Sequence, residues 1–457
     1  MSLNHYFTNP IVMLAYYFWN RISKTDRLGI LRALDKSQYY DIERLRSIQL
    51  KKMRNVIKNA FHSSPFWQEK FKDIGLEEGD IEGLVSTDKI PKLTREDVIN
   101  NKDRIVSGAF SKDELTENVS GGTTGSSLSY YLSRHRIDYR SASTLRHNLW
   151  TSYRIGDRLA TVWGAPADME SHRSLRTKMR DIFWGASINF DSNIVTDDAV
   201  RKFAREWDRF RPEILLAYSG AVDFFVNHAR DMKLSFAPPR AIITSAEVLT
   251  PGARKNIEDF FEAEVFNRYG CREFSVIASE CRYHNGLHIN AETLLLEFEP
   301  VLEALDNRRH CRVLVTDLEN LAFPFIRYEL GDVVVLSDEE DRCPCGRNLP
   351  RIEEVGGRIM DYLKLPGGRY LSCTALTATC FPRARGIIQS RIVQKKIDKI
   401  IVQIVKNNDF DEESYNILKQ DLAKVLGEGI ELVFEFPEQI KRERSGKYRF
   451  VISEVAD

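Results

Sequence analysis

Four stretches of this chain carry residue types and spacings that could handle a nucleotide. The first is VSGGTTGSS, Val119 to Ser127. Glycine permits positive φ and close backbone approach, so Gly121, Gly122 and Gly125 let successive N–H groups converge on an anion. Ser120, Thr123 and Thr124 add hydroxyl donors. The spacing is not that of a Walker loop, and no lysine follows Gly125. A plain Gly/Ser/Thr hairpin turn has the same composition. The second stretch is NRYGCREF, Asn267 to Phe274, with TSAE at Thr244 to Glu247 upstream. Tyr269 followed by Gly270 at a strand end can offer an aromatic face to a base, and Glu273 can hold a hard cation such as Mg²⁺ through oxygen. An ordinary core tyrosine and a solvated glutamate at a helix start fit the same text.

In the third stretch, PFIRYELGD (Pro324 to Asp332), a carboxylate after glycine at a strand end suits hydrogen bonding to ribose hydroxyls. A structural Gly-Asp turn is the alternative. The fourth is KRERSGKYRF, Lys441 to Phe450, where basic residues crowd a Ser-Gly turn that presents Lys447. Basic clusters are more often solvated faces. A separate set of soft ligands consists of Cys281, His288, Cys343 and Cys345, from EC…GLHI and RCPCGR. Three thiolates and an imidazole suit a closed tetrahedral Zn²⁺ site, which would be structural because no coordination position stays open. His284 is a rival ligand. Cys271, Cys311, Cys373 and Cys380 match no ligand pattern and read as core.

These residues need elements to hold them. Short apolar runs at 157–165, 211–220, 239–247 and 263–270 alternate with helical segments at 197–209 and 251–262, the pattern of an α/β architecture with functional loops at strand ends. Residues 40–75 read as one or two surface helices, and Thr94 with Asp97 three residues on caps another. After about residue 358 a strand–strand–helix–strand pattern of under 100 residues indicates a separate α+β domain. The domains expected are therefore 1–357, with a helical extension over about 1–90, and 358–457.

Composition removes several classes. In 457 residues, 66 Lys+Arg balance 66 Asp+Glu, so there is no basic excess for bulk nucleic-acid binding. Seven cysteines, odd and unevenly placed, are no disulfide framework and fit a reducing cytoplasm. The apolar run Ile11 to Trp19 falls short of the about 20 residues a span needs, and neither a basic leader nor a cleavage site frames it. It reads as an amphipathic helix on its own domain, with a peripheral membrane contact or a homodimer contact as the alternative.

In this order, the motifs resemble the adenylate-forming superfamily of acyl-CoA synthetases, non-ribosomal adenylation domains and luciferases. That family's phosphate loop, YGxxE, RxGD, GRxDxxIK and terminal GK become SGGTTGSS, YGCRE, YELGD, GRIMDYLK and SGK here, over residues 115–449. The CPCGR turn and upstream EC…GLHI resemble the phenylacetate–CoA ligase-like branch, whose relatives often lie among capsular-polysaccharide genes. The resemblance implies a large N-terminal domain of mixed β-sheets and helices with a small mobile C-terminal one. It also implies two half-reactions. A carboxylic acid and ATP give an acyl adenylate, and coenzyme A then takes the acyl group; an amine or hydroxyl acceptor, or a non-catalytic nucleotide-binding relative, is the alternative. By the same resemblance Lys447 bridges the carboxylate and the phosphate, Glu273 holds Mg²⁺, and Thr124 with the rest of the 120–125 loop cradles phosphates. Asp332 and Arg358 hold the ribose, and Ala246, Glu247, Tyr269 and Gly270 line the adenine. Trp163, Tyr218 and Phe274 line the acid pocket. Two departures stand out: Ser126 replaces the lysine many relatives carry in the phosphate loop, and Met360 replaces the hinge aspartate, with Asp361 following.

Overall fold

The computed structural model describes residues 3–120, 128–164, 187–192, 195–301, 308–337, 342–358, 362–366, 370–371, 376–377, 380–381, 383–427, 429–441 and 448–455. The chain opens with helices α1 (Pro10–Ile22), α2 (Arg27–Ser37), α3 (Ile42–Ser63), α4 (Pro65–Asp73), the single turn α5 (Glu78–Ile81) and α6 (Arg95–Ile105). The expected cap forms at α6: Thr94 Oγ1 accepts from Asp97 N at 3.0 Å and Asp97 Oδ2 accepts from Thr94 N at 2.9 Å. The hairpin β1 (Leu115–Ser120) and β2 (Leu128–Ser133) then leads into α7 (Arg134–Leu149). Strands β3 (Leu159–Trp163), β4 (Ser187–Asp191), β5 (Ile214–Tyr218), β6 (Ala241–Ser245) and β7 (Val265–Cys271) follow, with α8 (Asp197–Phe210), α9 (Ser219–Asp231) and α10 (Pro251–Phe261) between them. The large domain closes with β8 (Ser275–Glu280), β9 (Leu287–Ile289), β10 (Leu294–Pro300), β11 (His310–Asp317), β12 (Tyr328–Leu336) and β13 (Arg351–Arg358).

Among the described residues, eleven strands form one sheet in the order β10-β11-β12-β13-β9-β8-β7-β6-β5-β3-β4. From β4 to β7 every pair is parallel, and from β7 to β10 every pair is antiparallel. The parallel half is covered on both faces, as such sheets require. Leu215, Ala217, Ile242 and Val265 meet Val200, Phe203 and Trp207 of α8 and the apolar sides of α9 and α10. Ile214, Ala241, Ile243 and Phe266 face α1, α2 and α7. Helix α1 turns Val12 and Tyr16 inward and leaves Ile11, Leu14, Phe18 and Ile22 exposed. Among the described residues no helix is long and apolar enough to cross a membrane.

Residues 40–75 form two helices that are not surface elements: Met53, Val56, Ile57, Ala60, Trp67 and Phe71 are fully buried in the core under the antiparallel half. The C-terminal part has its own core. There β14 (Leu363–Lys364), β15 (Tyr370–Leu371), β16 (Ile387–Lys396), β17 (Lys399–Lys406), α11 (Glu412–Leu426), β18 (Glu431–Glu435) and β19 (Val451–Ser453) gather Ile392, Ile400, Val402, Leu418, Leu422 and Val451.

A buried ionic network fixes α2 and α7 to the sheet. Arg146 donates to Glu292 through Nη1 to Oε1 at 2.6 Å and Nη2 to Oε2 at 3.0 Å, while Ser37 Oγ donates to Glu292 Oε1 at 2.6 Å. Burial works to raise the Glu292 carboxyl, but Arg146 and then Ser37 outweigh it and hold it below its ordinary 4.5. A lowered folded-state value contributes stability that is present above about pH 4.5 and is lost below it, as pH falls through the lowered value. Glu292→Ala is expected to cost about 3–5 kcal/mol, because it strands a buried guanidinium. The Arg146→Met/Glu292→Leu pair is expected to recover most of that loss and to lack the acid-labile contribution, read by denaturant unfolding across pH.

Candidate active site

In open α/β sheets, ligands bind beyond the carboxyl ends of the parallel strands. Here those ends present Trp163 (β3), Tyr218 (β5), Ala246 and Glu247 just past β6, and Tyr269 to Cys271 (β7). The Trp163 and Tyr218 rings lie 4.0 Å apart between centroids. Phe274 does not join them. It is fully buried and packs on Phe325 at 5.3 Å, so it belongs to the core rather than to a pocket wall.

Tyr269 and Asp332 come together: the phenol donates to Asp332 Oδ2 at 2.8 Å. Asp332 lies inside β12 rather than at a strand end, across from Arg358 of β13 in the ladder. Next to it Gly331 has φ +77°, a left-handed conformation open to glycine, where the pairing of β11 with β12 slips between Arg312 and Leu314. The bulge re-aims the carboxylate toward Tyr269. The sequence-expected ribose residue and adenine residue are therefore hydrogen-bonded neighbours.

Glu273 sits at the tip of the β7/β8 hairpin, where the sheet changes from parallel to antiparallel, and is 7% exposed rather than solvated. A side chain at Gly270 would collide with the Ser275 carbonyl, so this tight hairpin needs glycine there. The tip is pinned from outside. Arg140 Nη2 donates to the Arg272 carbonyl at 2.8 Å, the Tyr130 hydroxyl donates to the same oxygen, and Arg136 Nη2 donates to the Phe274 carbonyl at 3.1 Å. Arg136 is itself held by Asp317 at 2.6 Å. Burial, and then the Glu273 carboxylate, push up the Tyr328 hydroxyl and the Cys271 thiol. Both stay neutral. Half-buried Cys271 packs against the core under the antiparallel half, as expected.

The β1/β2 hairpin closes at Ser120 opposite Leu128, two residues before Tyr130, so it hangs beside the Glu273 tip. Ser120 is buried, and its hydroxyl has no hydrogen-bond partner among the described residues. Gly121, Gly122, Thr123, Thr124, Gly125 and Ser126 lie outside the described residues, as do Met360, Asp361 and Lys447; Arg358 is placed by its backbone alone.

Glu247 does something the sequence did not announce. Ala246 turns the chain at φ +70°, and the Glu247 carboxylate accepts from Gly220 N of α9 at 2.7 Å. Tyr218, at the N-cap of α9, supplies no side-chain cap, so Glu247 fills that role. Its other oxygen accepts from the backbone N–H of Tyr448, the residue after Lys447. Arg136, Arg140 and Tyr130 also escaped sequence reading, since at the hairpin tip they bond main-chain carbonyls, which carry no sequence signal.

A second cluster lies at the far end of β8. Ligand atoms of Cys281, His288, Cys343 and Cys345 all fall within 4.8 Å of one another. Cys281 Sγ and Cys343 Sγ are 3.6 Å apart, and Cys345 Sγ is 3.4 Å from His288 Nε2. Tetrahedral zinc with Zn–S about 2.3 Å and Zn–N about 2.0–2.1 Å requires roughly 3.8 and 3.6 Å, within about 0.2 Å of these two spacings, so the donor set fits. Hydrogen bonds from Cys281 and then His288 and Arg347 N hold the Cys345 thiol far down, and the bond to Cys345 with burial pushes Cys281 up. The rival His284 is engaged with Glu280 at 3.1 Å, outside the cluster. The cysteine loop is tied to the N-terminal helices: Asn348 N donates to the Gln38 carbonyl at 2.9 Å, and Arg347 Nε and Trp150 Nε1 share Gln38 Oε1 at 2.9 and 3.0 Å.

Comparison with known proteins gives a family model named CapK C-terminal domain, matching residues 366–454. Protein CapK of Staphylococcus aureus is 25% identical over 452 residues, 95% of this chain and 96% of that one. Phenylacetate-coenzyme A ligase of Pseudomonas putida is 22% identical over 345 residues, 73% and 75% of the two chains. Among solved structures, 2-hydroxyisobutyryl-CoA ligase in its postadenylation state with 2-HIB-AMP superposes with TM-score 0.74 at 18% identity, covering 91% and 90%. The same ligase in the thioesterification state with 2-HIB-AMP and CoA gives 0.57 at 19% identity, covering 90% of each. The homologues thus include CapK and phenylacetate-CoA ligases, and the fold is that of adenylate-forming ligases with a separate C-terminal domain.

Proposed function

We propose that this protein is an ATP-dependent adenylate-forming ligase that activates a carboxylic acid and passes the acyl group to coenzyme A. The observation that carries this reading is the Tyr269–Asp332 hydrogen bond beside the Glu273 hairpin, at the carboxyl edge of a sheet of this fold. In the first half-reaction a carboxylate oxygen forms a bond to the α-phosphorus of ATP and the bond to pyrophosphate breaks. In the second, the thiol sulfur attacks the acyl carbon, AMP leaves, and the thiol proton goes to solvent.

The chain's contribution is positioning and charge neutralisation. Asp332 with Arg358 takes the ribose, Tyr269 borders the adenine, and the Ser120–Gly125 loop takes the phosphates. Glu273 would hold an Mg²⁺ through its carboxylate oxygens, and the ion would supply neutralisation of phosphate charge. Trp163 and Tyr218 border the acid. The chain as a whole superposes better on the postadenylation neighbour than on the thioesterification one, which supports reading its domain arrangement as the one for the first half-reaction. The Cys281, His288, Cys343 and Cys345 set takes a structural Zn²⁺. The six residues of β8, roughly 20 Å of strand, separate it from Glu273, too far for a chemical role.

The test is acid-dependent ATP–pyrophosphate exchange across a carboxylic-acid panel that includes phenylacetate. Exchange is expected with at least one acid, and coenzyme A is expected to convert it into net AMP release. Glu273→Gln is expected to lose about 10²-fold or more of the exchange. ATP binding without exchange for any acid sinks the reading, and exchange that ignores coenzyme A but turns over with an amine or alcohol changes the acceptor.

A further inference from the structure

We infer that Glu247 is the seat on which the C-terminal domain docks, and that it acts as a positioning residue for the first half-reaction rather than as an adenine contact. The inference deepens the adenylation reading proposed above and rests on it for its kinetic arm. Two main-chain donors from different domains meet at this carboxylate. One oxygen caps α9 at Gly220 N, 2.7 Å away, and the Ser219 hydroxyl donates to the Glu247 carbonyl at 3.1 Å. The other oxygen receives the Tyr448 N–H. Tyr448 is anchored to its own domain, with its hydroxyl on the Ser390 carbonyl of β16 and the Arg391 guanidinium 5.4 Å from its ring centroid.

Gly220 completes the seat. A Cβ there would stand 3.0 Å from Glu247 Oε2 and 3.4 Å from Tyr448 Cδ1, so the missing side chain is what lets the two approach. A carboxylate can accept from two N–H groups of different domains at once, and each such charge-assisted bond is stronger than a neutral one. With both oxygens engaged by main-chain donors, Glu247 has little left for a base. What it fixes instead is the main chain beside Lys447. When the domain swings away, the cap on α9 remains and only the Tyr448 bond breaks, so the seat persists between visits.

The experiment compares wild type with Glu247→Gln. Glutamine keeps the size but turns an NH₂ toward one of the two donors. Hydrogen–deuterium exchange without substrate reads docking directly: the segment holding Tyr448 is expected to exchange about 10-fold faster or more in the variant. In kinetics, kcat of ATP–pyrophosphate exchange is expected to fall about 10- to 100-fold with KM for ATP little changed, while transfer from a supplied acyl adenylate to the thiol is retained. Gly220→Ala keeps the carboxylate, crowds the seat, and is expected to move both readouts the same way, which covers the event that the glutamine variant folds poorly. Wild-type protection at Tyr448, equal loss of both half-reactions, or a rise in KM for ATP at constant kcat overturns the proposal. Faster exchange of Tyr448 in a protein that adenylates no acid supports the docking and removes only the chemistry.

Discussion

Lys447→Ala is expected to lose about 10²- to 10³-fold of acid-dependent ATP–pyrophosphate exchange, the scale of one preorganised donor at a developing anion. It is expected to keep the transfer of a supplied acyl adenylate to the thiol. The first step brings two anions together, a carboxylate and a triphosphate, and a fixed cation between them lowers that repulsion in the transition state. The second step has no such encounter, since the thiol attacks an acyl carbon already neutralised by its adenylate. Lys447 itself lies outside the described residues; its neighbour Tyr448 hangs from Glu247 at the carboxyl edge of the sheet. Exchange at the wild-type rate would remove the role. Because the substitution leaves the Tyr448 amide in place, its hydrogen exchange is expected to stay slow, which separates this variant from Glu247→Gln.

The second large effect concerns the cysteine cluster. Cys345→Ser is expected to lower bound zinc from one per chain to a small fraction and to cost on the order of 3–5 kcal/mol in the large domain, as opening a buried charged cluster does. Elemental analysis with thermal unfolding reads both. Two of the donor spacings, 3.6 Å and 3.4 Å, are close to those a tetrahedral ion requires, so removing one ligand would leave two thiols and an imidazole crowded without an ion to join them. Protein that remains folded is expected to keep its pyrophosphate exchange, because β8 lies between the cluster and Glu273. Native protein with no zinc, or a variant with its full complement, would sink the assignment.

Much of the architecture was legible. The apolar runs at 157–165, 211–220, 239–247 and 263–270 are β3, β5, β6 and β7, since strands buried on both faces read as short continuous apolar text. The tail resolves into β16, β17, α11 and β18, as its pattern indicates. Helices α3 and α4 were harder: the charges on their outer faces hide the stripe of Met53, Val56, Ile57 and Ala60 that enters the core. In the site, residue type pointed to Tyr269, Asp332 and Glu273, but local text cannot reveal long-range partners. Glu247 meets a main-chain N–H 201 residues away, and Phe274 is buried by Phe325, which the hairpin reaches only in the folded chain. Asp332 was placed at a strand end because Gly331 resembles a turn; in the fold that glycine makes a bulge and the strand continues.

The clasp between Gln38 and the cysteine loop spans 309 residues of sequence. On a ribosome adding about 5–20 residues per second, α1 and α2 therefore emerge roughly 15–60 s before Arg347 exists to close over them. Until Phe266 of β7 has been made, the inward faces of these helices lack the full set of strands they rest on, and Ile11, Leu14, Phe18 and Ile22 stay exposed even at the end. The nascent chain is thus most vulnerable to wrong associations at α1 and α2 before the strands they pack on have been made.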